Sequence, residues 1–320
     1  MSAAKPLVIV TRKLPQPVET RLAALYGARL NYDDKPFDAA ALKCAVAEAD
    51  ILVPAITDRI GADILSAAGT QLKLLANFGA GLDHIDLAAA RARGLVVTNT
   101  PGVLTEDTAD LTMALILGVP RLIPQGMAQL ARDDFPGWSP TWMMGRRLDS
   151  MKLGIVGMGR IGQAVAARAR AFGMEIHYHN RRRLDAELGA VFWPNLDAML
   201  PVIDMVSLHC PRTPETYHLF NAERLARLRE GAYLINTARG DIIDEAALAD
   251  ALASGRLAGA GLDVFEHEPK VHPKLKAQPN AMLLPHMGSG TIEARTAMGD
   301  KVIANIAAFL RGEVPPDKVV

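Results

Sequence analysis

The sequence feature that most restricts the fold of this 320-residue chain is a glycine-rich turn, GMGRIG. It places Gly157, Gly159 and Gly162 between an apolar run, KLGIV, and an alanine-rich stretch, QAVAARARAFG. A G-x-G-x-x-G turn that follows a strand and opens a helix is typical of dinucleotide-binding domains. The first glycine permits a tight turn, the second admits the pyrophosphate, and the third lets helix and strand pack closely. The motif therefore predicts a bound dinucleotide, with the amides of Arg160 and Ile161 facing its pyrophosphate.

Short apolar runs alternate with helical stretches along almost the whole chain, as in α/β proteins with parallel sheets. The predicted strands are LVIVT (7–11), ILVPA (51–55), LKLLANFG (72–79), LVVTNT (95–100), KLGIVG (152–157), EIHYHN (175–180), DMVSLHC (204–210), AYLINT (232–237), AGLDVF (260–265) and MLLPH (282–286). Predicted helices include 18–26, 86–94, one long helix over 105–123, and a last helix over 290–311. The length of the chain suggests about two domains. The last six strands are the expected content of one dinucleotide-binding domain.

The second strand of that domain ends in Asn180, followed by Arg181, Arg182 and Arg183. About 20 residues after the glycine turn, NAD-binding domains carry an acidic residue that binds the ribose 2′-hydroxyl. Asparagine and guanidinium groups can instead receive a 2′-phosphate through charge-assisted hydrogen bonds. The sequence therefore predicts NADP(H) as the preferred cofactor, with NAD(H) bound more weakly. Arg181 and Arg182 are the phosphate candidates, and Arg183 is read as solvated.

Composition argues against several other classes of protein. Lys plus Arg and Asp plus Glu each number 35, so the chain lacks the basic excess of a nucleic-acid-binding domain. No run approaches the roughly 18 apolar residues of a membrane helix. The N-terminus shows no signal-peptide pattern, and Cys44 and Cys210 are expected to be buried, reduced thiols. Together these features predict a cytoplasmic protein with no nucleic-acid or membrane partner.

Candidate catalytic groups follow three of the predicted strands. Arg239 lies in INTARG, Asp263 and Glu268 lie in GLDVFEHEP, and His286 lies in LLPHMG. Open α/β sheets build their sites at the carboxyl ends of strands, so these side chains are expected to meet. An arginine could bind the carboxylate of a 2-oxo acid and a histidine could protonate its carbonyl oxygen. A carboxylate on the other ring nitrogen would keep that histidine charged near neutral pH.

The chain resembles the D-isomer-specific 2-hydroxyacid dehydrogenase family over nearly its full length. The resemblance rests on NFGAGLDHIDL, NTPGVLTEDTADLTMALIL, GIVGMGRIGQAV, SLHCPRTPET, NTARGDIIDEAALADAL, GLDVFEHEP and LLPHMGS, which stand in the family's order. The segments GWSPTWMMGRRL and YHNRRR are most similar to the NADPH-dependent glyoxylate/hydroxypyruvate reductase branch. The resemblance implies reduction of a small 2-oxo acid to the D-2-hydroxy acid by hydride transfer from NADPH.

Roles for individual residues follow from the same resemblance. It implies that Arg239 binds the substrate, that His286 donates the proton, and that Glu268, not Glu266, is the acid partner of the histidine. Asp263 matches the residue that holds the nicotinamide carboxamide. The remaining matches are Ala80 and Gly81, whose backbone amides bind the substrate carboxylate, and Pro211, Thr237 and, more loosely, Thr108, which line the cofactor groove.

The family's fold implies two Rossmann-like, doubly wound parallel-sheet domains with the active site in a cleft between them. Residues 1–100 and 288–320 would form a flavodoxin-like substrate domain, and residues 101–287 the NAD(P)-binding domain. The region 105–123 would build a homodimer interface, with Trp138 or Trp142 bordering the neighbouring subunit's site. Two alternatives stay open: a family dehydrogenase for a bulkier 2-oxo acid, and a non-enzymatic, dinucleotide-sensing protein similar to corepressors of this fold.

Overall fold

The structure is a computed structural model that describes residues 5–320; residues 1–4, the start of the predicted substrate domain, lie outside the described residues. The chain divides into two compact units. Unit 1 comprises the residues up to Leu104 together with Ser289–Val320, and unit 2 is Thr105–Gly288. Each unit contains one parallel sheet covered by helices, so the predicted α/β class with two parallel-sheet domains is confirmed.

The described residues form strands and helices that alternate along the chain. The strands are β1 (Val8–Val10), β2 (Ile51–Val53), β3 (Leu74–Ala76), β4 (Val96–Thr98), β5 (Lys152–Val156), β6 (Glu175–His179), β7 (Val191–Phe192), β8 (Met205–Leu208), β9 (Ala232–Asn236), β10 (Leu257–Leu262) and β11 (Ala281–Leu283). The helices are α1 (Gln16–Tyr26), α2 (Ala39–Glu48), α3 (Ala62–Leu65), α4 (Leu87–Ala92), α5 (Thr105–Gly118), α6 (Ile123–Ala131), α7 (Arg160–Ala171), α8 (Leu196–Met199), α9 (Ala222–Arg227), α10 (Glu245–Ala253), α11 (Pro273–Lys276) and α12 (Ile292–Leu310).

Unit 1 is built on a four-stranded parallel sheet in the order β1-β2-β3-β4. Successive side chains of a strand point to opposite faces. Val8 and Val10 therefore pack with α1 and α12, whereas Ile9 packs with α2 and α3 on the other face. Single bridges extend both edges, from Arg29 to β1 in parallel and from Lys318 to β4 antiparallel.

Unit 2 is built on a seven-stranded parallel sheet in the order β11-β10-β9-β8-β5-β6-β7. Helices α5 and α7 cover one face, and α8 to α11 cover the other. The strand order reverses between β5 and β8, and such a reversal opens a crevice at the carboxyl ends of the strands. The glycine turn begins at that point, directly after β5.

The structure differs from the sequence-based expectation at several elements. The helix predicted over 105–123 is wrong beyond Gly118: Pro120 has no amide proton to continue it, and Leu122 has a left-handed φ of 57°. The short strand β7 was not predicted because two residues carry no periodicity. β10 also begins and ends three residues before the predicted strand 260–265, which places Asp263 directly after the strand.

Both cysteines are free, but the prediction that both are buried was wrong: Cys44 is exposed on α2, and Cys210 is half-buried. Burial nevertheless raises the pKa of the Cys210 thiol to about 11. No single helix among the described residues is long and apolar enough to span a membrane, although α5 and α6, bent by 74°, pass on length and composition as a pair.

Candidate active site

The glycine turn of unit 2 has room for a ligand at its middle glycine. Gly157 has a left-handed φ of 97°, and a Cβ there would lie 2.4 Å from the amide nitrogen of Cys210. A Cβ at Gly162 would lie 2.4 Å from the carbonyl oxygen of Gly157. A Cβ at Gly159, in contrast, would meet no atom within 4 Å. The chain itself therefore requires the outer two glycines, whereas the middle one leaves space for a phosphate.

The amino terminus of α7 begins at this turn without a side-chain cap. Gly159 is the capping residue and has no side chain to accept from the first amides. The amides of Arg160 and Ile161 belong to the first turn, where the helix itself supplies no acceptor, and the helix dipole favours an anion there. The turn and the helix together fit the pyrophosphate of a dinucleotide.

The predicted 2′-phosphate site lies at the end of β6. Asn180 Oδ1 accepts a hydrogen bond of 2.7 Å from the Met158 amide, so this carboxamide braces the glycine turn. Arg181 and Arg182 are exposed, whereas Arg183 binds Glu187 through two contacts of 2.8 Å. The structure thus separates the three arginines, leaving Arg181 and Arg182 without a paired carboxylate in the described chain.

Asp263 fixes the segment that follows β11. Its carboxylate is 1% exposed and accepts from the amides of Met287, at 2.7 Å, and Gly288, at 2.8 Å. Its carbonyl accepts from the amide of His286, whose φ of 52° is left-handed. Burial raises the pKa of the Asp263 carboxyl, although the two amide hydrogen bonds oppose the rise. Three hydrogen bonds therefore hold the backbone at His286 in a conformation that non-glycine residues seldom adopt.

His286 and Glu268 form a close pair at the same edge of the sheet. His286 Nδ1 lies 2.7 Å from Glu268 Oε2, and Glu268 Oε1 accepts from the Phe265 amide at 2.9 Å. Burial tends to raise the pKa of the Glu268 carboxyl, but its net pKa lies below the ordinary value because of the His286 hydrogen bond and the nearby charges of His286 and Arg239. The pairing leaves Nε2 as the other reactive nitrogen of the ring.

Arg239 follows β9 in a turn that neighbouring residues hold tightly. Asn236, which is fully buried, donates from Nδ2 to the Arg239 carbonyl at 2.8 Å and accepts from the Ala238 amide at 2.9 Å. A Cβ at Gly240 would lie 1.9 Å from the carbonyl carbon of Phe265. The turn after Arg239 thus packs directly against the backbone that leads to Glu268, so only glycine fits there.

A second imidazole–carboxylate pair lies beside the first. His218 Nε2 lies 2.8 Å from Glu266 Oε1, and the ring of Tyr217 stacks on that of His218 with centroids 4.1 Å apart. Glu266 is therefore engaged with His218, while Glu268 contacts His286. The two glutamates of FEHEP thus contact different histidines.

The remaining residues predicted for the cofactor groove lie in two groups. Thr108 donates to the Gly288 carbonyl at 3.2 Å, and Thr112 Oγ1 links the Thr108 carbonyl, at 2.7 Å, to Thr237 Oγ1, at 2.9 Å. This chain of hydroxyls connects α5 to the strand ends that carry Arg239 and His286. Pro211 is exposed after β8, and its carbonyl accepts from Thr216 Oγ1 at 2.8 Å.

The predicted substrate loop, with Ala80 and Gly81, follows β3 in unit 1. Asn77 Nδ2 donates to the carbonyls of Gly79, at 2.9 Å, and Gly81, at 3.0 Å. Asn99 Nδ2 donates to the Ala80 carbonyl at 2.7 Å. Sequence reasoning had not assigned Asn77, Asn99 or Asn236 to the site. The signal that could have found them is their position, because each ends or directly follows a strand and lies beside a turn that carries predicted site residues.

The seven-stranded sheet with its glycine turn, uncapped helix and histidine–glutamate pair defines a dinucleotide-binding oxidoreductase fold and site. Residues 113–288 match the model of the D-isomer specific 2-hydroxyacid dehydrogenase NAD-binding domain. The chain belongs to the D-isomer specific 2-hydroxyacid dehydrogenase family, as the motifs had indicated, and its cofactor is a nicotinamide dinucleotide.

Relatives and solved structures match this chain over nearly its full length. The glyoxylate reductase of Thermococcus litoralis is 42% identical, over 98% of this chain and 97% of that protein. The NADPH-dependent glyoxylate/hydroxypyruvate reductase of Sinorhizobium meliloti, solved with NADP and malonate, has a TM-score of 0.87 and 36% identity over 99% of this chain and 97% of that one. A glyoxylate reductase from Paecilomyes thermophila has a TM-score of 0.86 and 32% identity over 98% of each chain.

Proposed function

We propose that this protein reduces glyoxylate, hydroxypyruvate or a similar small 2-oxo acid to the D-2-hydroxy acid with NADPH. The observation that carries the proposal is the 2.7 Å contact between His286 and Glu268, with Arg239 close enough to influence the Glu268 carboxyl. An acid, its charge partner and a carboxylate-binding cation are the groups that reduction of a 2-oxo acid requires. The similarity to glyoxylate reductases supports the choice of substrate.

The cofactor would be held by unit 2. The amides of Arg160 and Ile161 would receive the pyrophosphate, and the open space at Gly159 would admit it. Bound there, NADPH would supply the hydride for reduction of the substrate carbonyl. Pro211, Thr237 and, more loosely, Thr108 would line the cofactor groove.

His286 would protonate the substrate as the carbonyl is reduced. Because Nδ1 contacts Glu268, the proton leaves from Nε2 and forms the O–H bond of the product alcohol. Glu268 stabilises the charged imidazolium before that transfer, and the neutral imidazole then regains a proton from solvent. Arg239 would bind the substrate carboxylate with its planar guanidinium, which can form two parallel hydrogen bonds. The amides of Ala80 and Gly81 would bind the same carboxylate.

Preference for NADPH is part of the proposal. Asn180 occupies the position at which an aspartate or glutamate would repel a 2′-phosphate, and its Oδ1 is already bound to the Met158 amide. The exposed guanidiniums of Arg181 and Arg182 follow directly and supply positive charge. Both features favour a phosphorylated ribose over a free 2′-hydroxyl.

The test is a panel of initial rates with glyoxylate, hydroxypyruvate, pyruvate and a bulky 2-oxo acid such as phenylpyruvate, each with NADPH and NADH. We expect the highest kcat/KM for one of the first two with NADPH. A maximum at the bulky acid would favour the alternative dehydrogenase. NADPH binding without turnover of any 2-oxo acid would favour the dinucleotide-sensing protein.

We also propose that two copies associate through the end of the predicted interface region 105–123 and the segment that follows it, from α6 to residue 144. Among the described residues this segment exposes a series of large apolar side chains: Ile123, Met127, Leu130, Phe135, Trp138 and Met144. Trp138 is 81% exposed, which is unusual for so large an aromatic ring unless a partner covers it. Size-exclusion chromatography with light scattering should give a dimer, and Met127→Glu should shift it toward the monomer.

A further inference from the structure

The carbonyl groups of the predicted substrate loop in unit 1 all accept hydrogen bonds from groups of that unit. The Gly79 carbonyl accepts from Asn77 Nδ2, at 2.9 Å, and from the Thr100 amide, at 3.0 Å. The Ala80 carbonyl accepts from Asn99 Nδ2 at 2.7 Å, and the Gly81 carbonyl accepts from Asn77 Nδ2 at 3.0 Å. Three successive carbonyls are therefore directed toward the interior of the unit.

This arrangement determines where the loop amides point. A trans peptide is planar, with its C=O and N–H bonds directed oppositely. Because the Gly79 carbonyl points to Asn77, the N–H of Ala80, in the same peptide, points away from Asn77. In the next peptide the Ala80 carbonyl points to Asn99, so the N–H of Gly81 points away from Asn99. Neither amide donates to any acceptor within the described chain. Two neighbouring N–H groups thus face away from the unit, as in backbone sites that bind anions.

Asn77 can hold the loop only as a carboxamide. Its side chain is fully buried, its two N–H groups are donated to Gly79 and Gly81, and its Oδ1 lies 3.0 Å from His84 Nε2. The two carbonyl contacts fix which end of the carboxamide is nitrogen, so Oδ1 is the acceptor and the imidazole is the donor. An aspartate there would place its oxygens against two carbonyl oxygens with no proton between them.

We propose that Asn77 and Asn99 are positioning residues that aim the Ala80 and Gly81 amides at the carboxylate of the substrate. The inference rests on the proposed function, in which that loop receives a 2-oxo acid. Neither asparagine touches the substrate; each acts through the carbonyl that it holds. Asn99 is the better site for a test because it is half-buried, and its carboxamide holds only the Ala80 carbonyl.

The experiment compares Asn99→Ala with Asn31→Ala. Asn31 is a half-buried residue of the same unit whose Nδ2 donates to the carbonyls of Thr11, at 2.8 Å, and Lys35, at 2.7 Å, away from the loop. Asn99→Ala should raise KM for the 2-oxo acid about tenfold, the effect of losing about 1.4 kcal/mol of binding. We expect kcat to change less than about threefold and the Kd of NADPH to stay unchanged, since the cofactor turn lies in unit 2. Asn31→Ala should leave all three unchanged.

A second measurement separates this inference from the proposed function. Binding of oxamate, a non-reducible analogue of a small 2-oxo acid, is measured by calorimetry with NADPH present. Weaker oxamate binding by Asn99→Ala, but not by Asn31→Ala, would support the inference even if the parent protein reduces none of the acids in the panel. Unchanged oxamate Kd and KM in Asn99→Ala, with the parent fully active, would overturn the inference and leave the proposed function intact.

Asn77 provides an independent check. Asn77→Asp should weaken oxamate binding more than Asn99→Ala does, because it removes two donors and adds a negative charge behind the loop. Melting temperature is followed in parallel, since loss of a buried network also destabilises the fold. If Asn77→Asp does not fold, the comparison of Asn99→Ala with Asn31→Ala still tests the proposal. If it folds with parental oxamate affinity, the positioning role of Asn77 is refuted.

Discussion

Cofactor choice is expected to depend on Arg181 and Arg182 but not on Arg183, because only Arg183 is already held by a carboxylate. Its guanidinium donates twice to Glu187 at 2.8 Å and lies 5.8 Å from the ring centroid of Phe192. Arg181 and Arg182 are exposed and form no ion pair within the described chain. Substitution of Arg181 and Arg182 is therefore the test, and substitution of the neighbouring Arg183 is its matched control.

The magnitude follows from the exposure of these side chains. A charge-assisted hydrogen bond contributes about 1.5–3 kcal/mol, and exposure to solvent reduces this to about 1–1.5 kcal/mol for each arginine. Arg181→Ala with Arg182→Ala should therefore weaken NADPH binding by about 2–3 kcal/mol, or about 30- to 150-fold. NADH has no 2′-phosphate, so its Kd should change by less than about threefold on the same energy scale. Arg183→Ala should leave both affinities near those of the parent.

The assay is a fluorescence titration of the parent, the double variant and Arg183→Ala with each cofactor, followed by kcat/KM at fixed substrate. Titration at two salt concentrations adds a check, because the contribution of exposed arginines should shrink as salt rises. Equal loss of NADPH and NADH affinity in the double variant would refute the phosphate site. If Arg183→Ala lost as much NADPH affinity as the double variant, positive charge near the turn would matter in general, and the specific role of Arg181 and Arg182 would be refuted.

Three further changes test the rest of the site. His286→Ala should lower kcat at least about a hundredfold, the typical contribution of a general acid, with an unchanged Kd for NADPH by titration. The pKa of the Glu268 carboxyl in the folded protein lies below its ordinary 4.5. The contribution of this group to folding stability is therefore fully present above pH 4.5 and is lost as the pH falls through the lowered pKa. The melting temperature should fall less steeply with acidification in Glu268→Gln than in the parent. Asn180→Asp keeps an acceptor for the Met158 amide and adds a charge, so the ratio of kcat/KM for NADPH over NADH should fall at least about tenfold.

The presence and order of the strands were predictable because local pattern determines them, whereas their ends were less so: β10 ends at Leu262, three residues before the end of the predicted strand. Buried parallel strands such as β9 are continuous apolar runs, and the glycine turn has few alternative structures. The grouping of Arg239, Asp263 and His286 near the carboxyl ends of three strands follows from that pattern. Pro120 already signals the break after α5 in the sequence, because proline cannot continue a helix. The left-handed φ of Leu122 has no such signal in the hydropathy pattern.

Contacts between distant residues could not be read from the sequence. Glu266 and Glu268 are two residues apart and chemically identical, yet one contacts His218 and the other His286. Periodicity says nothing of such pairings, and only the resemblance to a family selected Glu268. Asn180 is a second example of a contact that the sequence does not report. The sequence suggested only a contact to phosphate, whereas in the structure its Oδ1 also accepts from the Met158 amide in the glycine turn.

Four asparagines at strand ends share one function in this fold. Asn77, Asn99, Asn180 and Asn236 each end or directly follow a strand, and each uses its carboxamide to hold the backbone of a neighbouring turn. A carboxamide both donates and accepts, so it can hold carbonyls and amides without carrying charge. An aspartate could hold only amides, and its buried charge would cost free energy and repel the anions expected at these turns. Neutral carboxamides therefore suit strand ends whose turns are proposed to present positive charge and free amides to phosphates and carboxylates.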